Sequence, residues 1–171
     1  GPPAIAVDPD EVIFDPVIEG EQTASEIEVR NSGGNPLEIA SITTSSDAFS
    51  VDAETPITIG FGDASVSVPV TFAPSSTGEI SGTLTIESNA DNTPELTVPL
   101  SGEGLTAPEI AAVPDAFDVT VDLGETLDRT LTVSNTAPSE AGALEFGASF
   151  VMNGEGMDPA MVAAPFEGNA K

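Results

Sequence analysis

Alternation between apolar and polar residues restricts the fold of this chain more than any other feature of its sequence. It is clearest in residues 65–72, where every second side chain is apolar: Val66, Val68, Val70 and Phe72. Because successive side chains of a β-strand point to opposite faces of the sheet, a period of two predicts a strand with one buried face. Further short apolar segments predict additional strands: Ile5–Val7, Val12–Phe14, Ile27–Val29, Leu37–Ile42, Phe49–Val51, Thr83–Ile86 and Leu96–Leu100.

The number and spacing of these strands predict a β-sandwich. Seven or eight strands within about 100 residues is a density typical of two packed antiparallel sheets. Loops rich in Gly, Asn, Ser and Pro separate the strands, for example Asn31–Pro36 and Ser88–Pro94, and these residue types favour turns. Pro69 and Pro99 lie inside predicted strands. Since proline cannot donate to a ladder, we expect edge positions or bulges at both.

The sequence of the first domain begins again about 105 residues later. Matching segments surround three pairs of residues that are 104 or 105 positions apart: Ile5 and Ile110, Gly20 and Gly124, and Asn31 and Asn135. One repeat therefore corresponds to one domain. We predict a β-sandwich over residues 1–104, a short linker over 105–108 and a second, related β-sandwich domain over 109–171.

The second copy matches only the first half of the first. Its similarity ends near residue 151, and nothing in residues 152–171 resembles the alternating segments of residues 66–100. We therefore expect a partial second sandwich with little regular structure after about residue 151. Half a sandwich exposes an apolar face and open strand edges. Either the chain ends inside a domain, which we favour, or another protein chain completes the sheet by strand pairing.

An ordered series of short motifs runs through residues 3–104. Its parts include Pro3-x-Ile5-x-Val7-x-Pro9, Val29-x-Asn31-x-Gly33, Val68-x-Val70-x-Phe72-x-Pro74, Gly82-x-Leu84-x-Ile86-x-Ser88-Asn89 and Val98-x-Leu100-x-Gly102-x-Gly104. In this order the motifs resemble the ASH (ASPM–SPD-2–Hydin) domain, in the form found in bacterial choice-of-anchor D surface proteins. The resemblance implies a seven-stranded immunoglobulin-like sandwich related to the major sperm protein fold. It brings no catalytic residues with it.

The resemblance also implies a class of function. In bacteria such domains are repeated modules of large secreted or surface-anchored proteins, so we predict an extracellular, non-catalytic spacer module whose partners are the neighbouring domains of the same polypeptide. The initial Gly1-Pro2 pair is typical of the remnant that a tag-removing protease leaves, and we expect the sequence to be part of a longer protein. An alternative is an adhesion or protein-binding module that uses acidic calcium-binding loops or an exposed strand edge. A third is a scaffold domain of the ciliary or cytoskeletal type, which the near absence of lysine disfavours.

The residue types that are missing exclude most active-site chemistry. The chain has no His and no Cys, and its basic residues are Arg30, Arg129 and the terminal Lys171. Without His or Cys there is no ordinary zinc or copper site, no Ser-His-Asp triad and no cysteine nucleophile. We therefore predict that the chain is not an enzyme and has no catalytic or cofactor-binding residues. The lack of clustered Lys and Arg argues against nucleic-acid binding, and no apolar run is long enough for membrane insertion.

Acidic residues dominate the charge, with 29 Asp and Glu against 3 Lys and Arg and a net charge of −26. One interpretation is a calcium-binding surface, for which the candidate ligands are Asp8 and Asp10 in one loop and Asp91 and Glu95 in another. The other is solubility in a salty medium, where high ionic strength screens the repulsion between carboxylates. We favour the second, because the acids are scattered and no D-x-D-x-D-G spacing occurs. It predicts a marine or halophilic source and no cofactor.

Phenylalanine and asparagine are assigned structural roles. Phenylalanines within apolar segments are predicted to be core residues rather than a ligand platform: Phe14, Phe49, Phe72, Phe117, Phe146 and Phe150. Asn31 and Asn135 each follow a predicted strand in their repeat. We expect both to form hydrogen bonds within their own loops.

Overall fold

All the regular secondary structure that the structure describes is β-strand. The computed structural model describes residues 1–120, 122–138, 141–148 and 166–170, and the all-β prediction is confirmed over these ranges. The chain divides into two compact parts, Gly1–Leu105 and Thr106–Lys171, called unit 1 and unit 2 below. Among the same residues, no helix has the length and apolar character that crossing a membrane requires.

Unit 1 is a sandwich of two sheets. Its strands are β1 (Ile5–Asp8), β2 (Val12–Ile13), β3 (Val17–Ile18), β4 (Thr23–Asn31), β5 (Leu37–Thr44), β6 (Phe49–Val51), β7 (Ile57–Ile59), β8 (Val66–Phe72), β9 (Gly78–Ser88) and β10 (Glu95–Leu105). The first sheet has the order β1-β4-β8-β6, and the second has the order β2-β10-β9-β5-β7 with β3 also paired to β10. Neighbouring strands are antiparallel, except that β2 and β3 run parallel to β10.

The alternating apolar residues of both sheets meet in one core. Ile27 lies opposite Val68 in the β4–β8 ladder, and both side chains are fully buried. At the centre the rings of Phe14, Phe49 and Phe72 lie with their centroids 5.0 to 5.8 Å apart. Complete burial of one large apolar side chain stabilises the fold by roughly 1.5–3 kcal/mol. No polar or charged side chain is buried in the part of the chain that the structure describes, so apolar packing alone fills this core.

Two short strands of unit 1 were not expected. β3 contains only Val17 and Ile18, and β7 contains only Ile57–Ile59. Segments of this length hold too few residues for alternation to be recognised, and pairing with β10 and β5 defines them instead. β2 and β3 lie along the same edge of β10, where Leu100 pairs with Val12 and Gly104 with Val17.

The two prolines within strands lie where one neighbouring strand has ended. Pro69 is in β8, an interior strand, and the pairing of β8 with β6 stops one residue away at Val70. Pro99 is in β10, another interior strand, one residue before the pairing with β2 begins at Leu100. Neither proline lies on an edge strand, but each occupies a local edge position, because it lacks one ladder partner.

Unit 2 contains two strand pairs within its described residues. They are formed by β11 (Ile110–Val113) with β12 (Thr132–Asn135), and by β13 (Leu144–Ala148) with β14 (Phe166–Ala170). β14 extends regular structure beyond residue 151, the expected limit, because pairing with β13 rather than local alternation defines it. Phe117 is 43% exposed, so the prediction of a core position was wrong for that residue. Phe150 lies outside the described residues.

Candidate functional site

The four candidate calcium ligands lie in two separate places on the surface of unit 1. Asp8 ends β1 and Asp10 follows it, whereas Asp91 lies between β9 and β10 and Glu95 begins β10; all four side chains are exposed. The backbone N–H of Asp91 donates to the carbonyl oxygen of Pro3 at 2.9 Å, so that loop lies beside the start of β1. Asp8 is at the other end of this strand, about 10 Å away at the usual rise per residue.

The described residues contain no group of three or more His, Cys, Asp or Glu side chains placed to hold a metal ion. Calcium sites use six to eight oxygen ligands at short range. The structure does not bring the four acidic candidates together into such a cage, and calcium binding at these loops stays a prediction.

The loop between β9 and β10 is instead fixed by asparagines that tie strands together. Asn92 Oδ1 accepts from the backbone N–H of Ile5 at 2.9 Å, and its Nδ2 donates to the carbonyl oxygen of the same residue at 3.0 Å. Asn89 Oδ1 accepts from Glu38 N at 2.8 Å and its Nδ2 donates to Pro36 O at 3.3 Å. Since β1 belongs to one sheet and β9 and β10 to the other, Asn92 links the two layers. Turn chemistry predicted the loop, but not these distant partners.

Asn31 and Asn135 hold the turns that follow β4 and β12. Asn31 Oδ1 accepts from Gly33 N at 2.9 Å, and its Nδ2 donates to Asn35 O at 2.8 Å and to Ile59 O at 3.0 Å. Asn135 Oδ1 accepts from Ala137 N at 3.1 Å. The predicted bonds within each loop are confirmed. The bond to Ile59 extends the role of Asn31, because it also fixes the end of β7.

A shallow groove of about 500 Å³ lies beside the β2–β3 edge of unit 1. Ile13, which is 73% exposed, lies in register with Ser101 of β10, and Ser101 with Ser81 of β9. Apolar and acidic side chains line the groove together with the two serines: Ile13, Phe14, Pro16, Ile80, Glu79 and Glu103. The chain has no His that could act as a base for either serine.

An exposed aromatic side chain marks the loop after β7. Phe61 is 76% exposed between two glycines. The Asp63 carboxylate accepts from the backbone N–H of Gly60 at 2.7 Å, and Gly62 has a positive φ of 79°, so a defined turn holds the ring outward. Neither Phe61 nor the exposed Ile13 was recognised from the sequence. The signal available was a phenylalanine inside a Gly-Phe-Gly-Asp turn, outside any alternating segment.

Negative charge covers the surface of both units. Each Asp and Glu whose side chain is described is exposed, except Glu28, which is half-buried. Such a surface repels phosphate and anionic headgroups. The absence of a nucleic-acid ligand stays a prediction.

Comparison with a known family agrees with the fold of unit 1. A model of the HYDIN/CFA65/VesB-like, Ig-like domain matches residues 3–103. None of the curated proteins matches this sequence. The matched residues are those of the β1–β10 sandwich and exclude unit 2.

Solved structures share the same sandwich. The ASH/PapD-like domain 7 of human CEP192 superposes with a TM-score of 0.50 at 18% identity, covering 62% of this chain and 88% of that one. A protein of unknown function from Porphyromonas gingivalis W83 gives a TM-score of 0.51 at 22% identity, covering 59% of this chain and 46% of its own. The secreted serine protease VesC from Vibrio cholerae has a TM-score of 0.47 at 14% identity, covering 61% and 24%. The family model and the first of these structures confirm an ASH-like, immunoglobulin-like sandwich for unit 1.

Proposed function

Because the chain belongs to the HYDIN/CFA65/VesB-like, Ig-like domain family through residues 3–103, we propose that it is a non-catalytic spacer module of a larger secreted or surface-anchored bacterial protein. Its partners are then the neighbouring domains of the same polypeptide. The acidic surface suits an extracellular, salty medium, where ions screen the repulsion between carboxylates.

The observation that supports this proposal most strongly is where the chain enters and leaves unit 1. The entry is at Pro3, whose carbonyl oxygen accepts from Asp91 N just before β10 begins. The exit is at Leu105, at the far end of β10. At the usual rise per residue, the eleven residues of this strand separate entry from exit by about 30 Å. A module with its termini at opposite ends lengthens a chain each time it is repeated.

The packing of unit 1 supports the same role. A spacer needs a sandwich that does not open, and the core contains only apolar side chains in the described residues. Asn92 and Asn31 add hydrogen bonds that hold the loops of the entry end to the neighbouring strands.

A spin-label distance measurement tests the end-to-end geometry. The chain has no cysteine, so Pro2→Cys with Glu103→Cys can be labelled uniquely on the full chain. We expect a narrow distribution near 30 Å, set by the length of β10. The control pair is Pro2→Cys with Asp91→Cys, which lie at the same end of unit 1. A Pro2–Glu103 distance as short as that of the control pair contradicts the spacer geometry.

The second candidate is an adhesion module, which the exposed Phe61 and the groove at Ile13 favour. Calcium titration separates the spacer from the form of this module that binds calcium through its acidic loops. Isothermal titration and thermal unfolding of the full chain in high salt should show neither heat nor a rise in Tm. Micromolar binding with a higher Tm contradicts a pure spacer, since a ligand that binds only the folded state stabilises it. The paired variants D8N/D10N and D91N/E95Q then identify the loop responsible.

A further inference from the structure

The longest strand pair among the described residues of unit 1 has two carboxylates facing each other near both of its ends. The β9–β10 ladder has ten register pairs, and it places Glu95 opposite Glu87 at one end and Glu103 opposite Glu79 near the other. All four side chains are exposed. Only uncharged residues lie between these two pairs, over 80–86 and 96–102, a stretch that the structure describes throughout.

The opposed side chains of each pair are close enough to repel one another. Directly opposite residues of an antiparallel ladder have Cβ atoms about 4.5–5.5 Å apart, and like charges in that position destabilise the strand pair. In the first pair, the Ser41 hydroxyl donates to Oε2 of Glu87 at 2.8 Å. Because this hydrogen bond holds the Glu87 carboxylate in place, rotation away from Glu95 has a cost, and the repulsion is not relieved freely.

The sequence of unit 1 supplies one basic side chain, and it belongs to the other sheet. Arg30 is the only Lys or Arg in residues 1–105, and it lies in β4, opposite Ala6 of β1. A third carboxylate pair, Asp8 with Glu28, is in the same ladder. Alternation places Arg30 and Glu28 on one face of β4, so that pair has a cation nearby. The described strands of the second sheet contain no Lys or Arg.

The two ends of the β9–β10 ladder lie where the chain enters and leaves unit 1. The loop at the Glu87–Glu95 end carries Asn92, whose side chain accepts from and donates to the backbone of Ile5 in the other sheet. At the other end of the ladder, Leu105 ends β10, and its carbonyl oxygen accepts from Glu19 N at 2.9 Å. Opening of either end therefore loosens one terminus of the sandwich.

We propose that the two carboxylate pairs make closure of the β9–β10 ladder depend on the ionic strength of the medium, so that both ends fray in low salt and close in high salt. The screening length is about 30 Å at 0.01 M ionic strength and about 3 Å at 1 M. The first length far exceeds the separation of the opposed side chains and the second is shorter, so salt removes the repulsion that opens the ends. The centre of the ladder, with Leu84 and Val98 at 0% exposure, stays closed. This inference goes beyond the spacer role and does not depend on it.

Native-state hydrogen exchange of the full chain in NaCl tests the proposal residue by residue. Raising the ionic strength from about 0.01 M to about 1 M should slow amide exchange at residues 78–80 and 87–88 by about two- to fivefold, the factor that relief of one like-charged pair produces. The factor is taken relative to the amides of Leu84 and Val98, which report opening of the whole sandwich. That reference removes the general effect of salt on apolar burial.

Each carboxylate pair has a variant that should act on its own end of the ladder. Glu95→Gln should remove the salt dependence at residues 87–88 and leave it intact at residues 78–80. Glu79→Gln should do the reverse. Glu26→Gln is the matched control, because it removes the same charge from an exposed strand position that lies opposite Pro69 in the other sheet. Both ends of the ladder should keep their full salt response in this control.

Three results would overturn the proposal. A salt effect of equal size at the ends and at the centre, or a Glu26→Gln variant that weakens the response as much as Glu95→Gln, would assign the effect to net charge. Ends that lack protection at both salt concentrations would show that screening does not close them. Calcium chloride and magnesium chloride at equal concentration should protect the ends equally, and stronger protection by calcium would replace screening by specific binding of that ion.

Discussion

Units 1 and 2 begin with the same strand pair and then differ in how much of it they bury. The register and the backbone hydrogen bonds of β1–β4 are reproduced in β11–β12. Yet Ile27 of β4 is completely buried, whereas its counterpart Leu131 is 44% exposed. The local pairing therefore does not depend on a closed core.

The difference shows that strand pairing and core formation depend on different parts of the chain. A turn held by an asparagine fixes the register of one strand pair within about 30 residues. The core of unit 1 instead needs β8, which pairs with β4 from Thr23–Phe72 to Val29–Val66, and β9 and β10, which pair with each other in the opposite sheet. No such strand pairs with β12 among the described residues of unit 2, and apolar residues at the corresponding positions, such as Ile110 and Leu131, are exposed there. Their contribution to stability is correspondingly smaller.

The largest difference between the units is expected in the loss of stability when a phenylalanine of each is replaced by alanine. Phe72→Ala in unit 1 removes a 0% exposed ring stacked 5.0 Å from Phe49 and 5.5 Å from Phe14. It should lower the free energy of unfolding of unit 1 by about 3–5 kcal/mol. Phe117→Ala in unit 2 removes a ring that is 43% exposed, and it should cost less than about 1 kcal/mol.

Urea unfolding followed by far-UV circular dichroism measures the first effect, since the chain has no Trp or Tyr for fluorescence. Native-state hydrogen exchange resolves the second in unit 2. Equal losses for Phe72→Ala and Phe117→Ala would show that unit 2 has a closed core, and the comparison between the units would fail.

A smaller difference in stability is expected when a glycine of each unit is replaced by alanine, because only the glycine of unit 1 permits close packing. A Cβ on Gly102 would lie 2.5 Å from Cε1 of Phe72, whereas a Cβ on Gly147 of β13 would meet nothing within 4 Å. Gly102→Ala should therefore destabilise unit 1 by about 1–3 kcal/mol through overpacking. Gly147→Ala should change stability by no more than about 0.5 kcal/mol. Differential scanning calorimetry checks both, and a neutral Gly102→Ala would mean that β10 and Phe72 move apart at little cost.

This glycine also shows how far sequence reasoning reached. Alternation predicted the long strands, because β8 has enough residues to display its period, and it predicted Phe14, Phe49 and Phe72 as core. It assigned Gly102 no packing role, although the position faces Phe72 across the sandwich. Contacts between residues far apart in sequence leave no periodic signal. β3 and β7 were missed for the related reason that each is defined by its partner strand.

The candidate site was less predictable than the fold. Sequence reasoning proposed the four acidic side chains of the two loops, because carboxylates near turns are calcium ligands. It could not show that Asp8 and Asp91 lie at opposite ends of β1, since that separation follows from the pairing of Asn92 with Ile5. The exposure of Phe61 and Ile13 was equally invisible, because both belong to apolar residue types that are more often buried.

Replacing the asparagine of each turn by alanine should produce a smaller difference in stability between the two units. Asn31→Ala removes side-chain bonds of 2.8 and 3.0 Å that reach Asn35 and Ile59, and it should lower the stability of unit 1 by about 1 kcal/mol. Asn135→Ala removes bonds of 3.0 Å to Glu109, 3.1 Å to Ala137 and 3.3 Å to Gly142, in a unit whose counterpart core residues are exposed. Its effect should be confined to faster amide exchange in β11 and β12. Global destabilisation by Asn135→Ala equal to that of Asn31→Ala would contradict the weaker packing of unit 2.

The smallest effect on stability is expected from removing a carboxylate. It should occur for a carboxylate that faces another one across a strand pair, and not for one outside the strands. Glu103 lies directly opposite Glu79 in the β9–β10 ladder, and like charges in that arrangement destabilise a sheet. Glu103→Gln should therefore raise the melting temperature of unit 1 slightly, corresponding to a few tenths of a kcal/mol at low salt. The gain should disappear near 1 M salt, where the screening length falls to about 3 Å. Asp118→Asn removes one exposed carboxylate from unit 2 and should leave the melting of unit 1 unchanged at every salt concentration. If both variants stabilise unit 1 equally, the relevant quantity is net charge rather than strand register, and the acidic surface acts on the molecule as a whole.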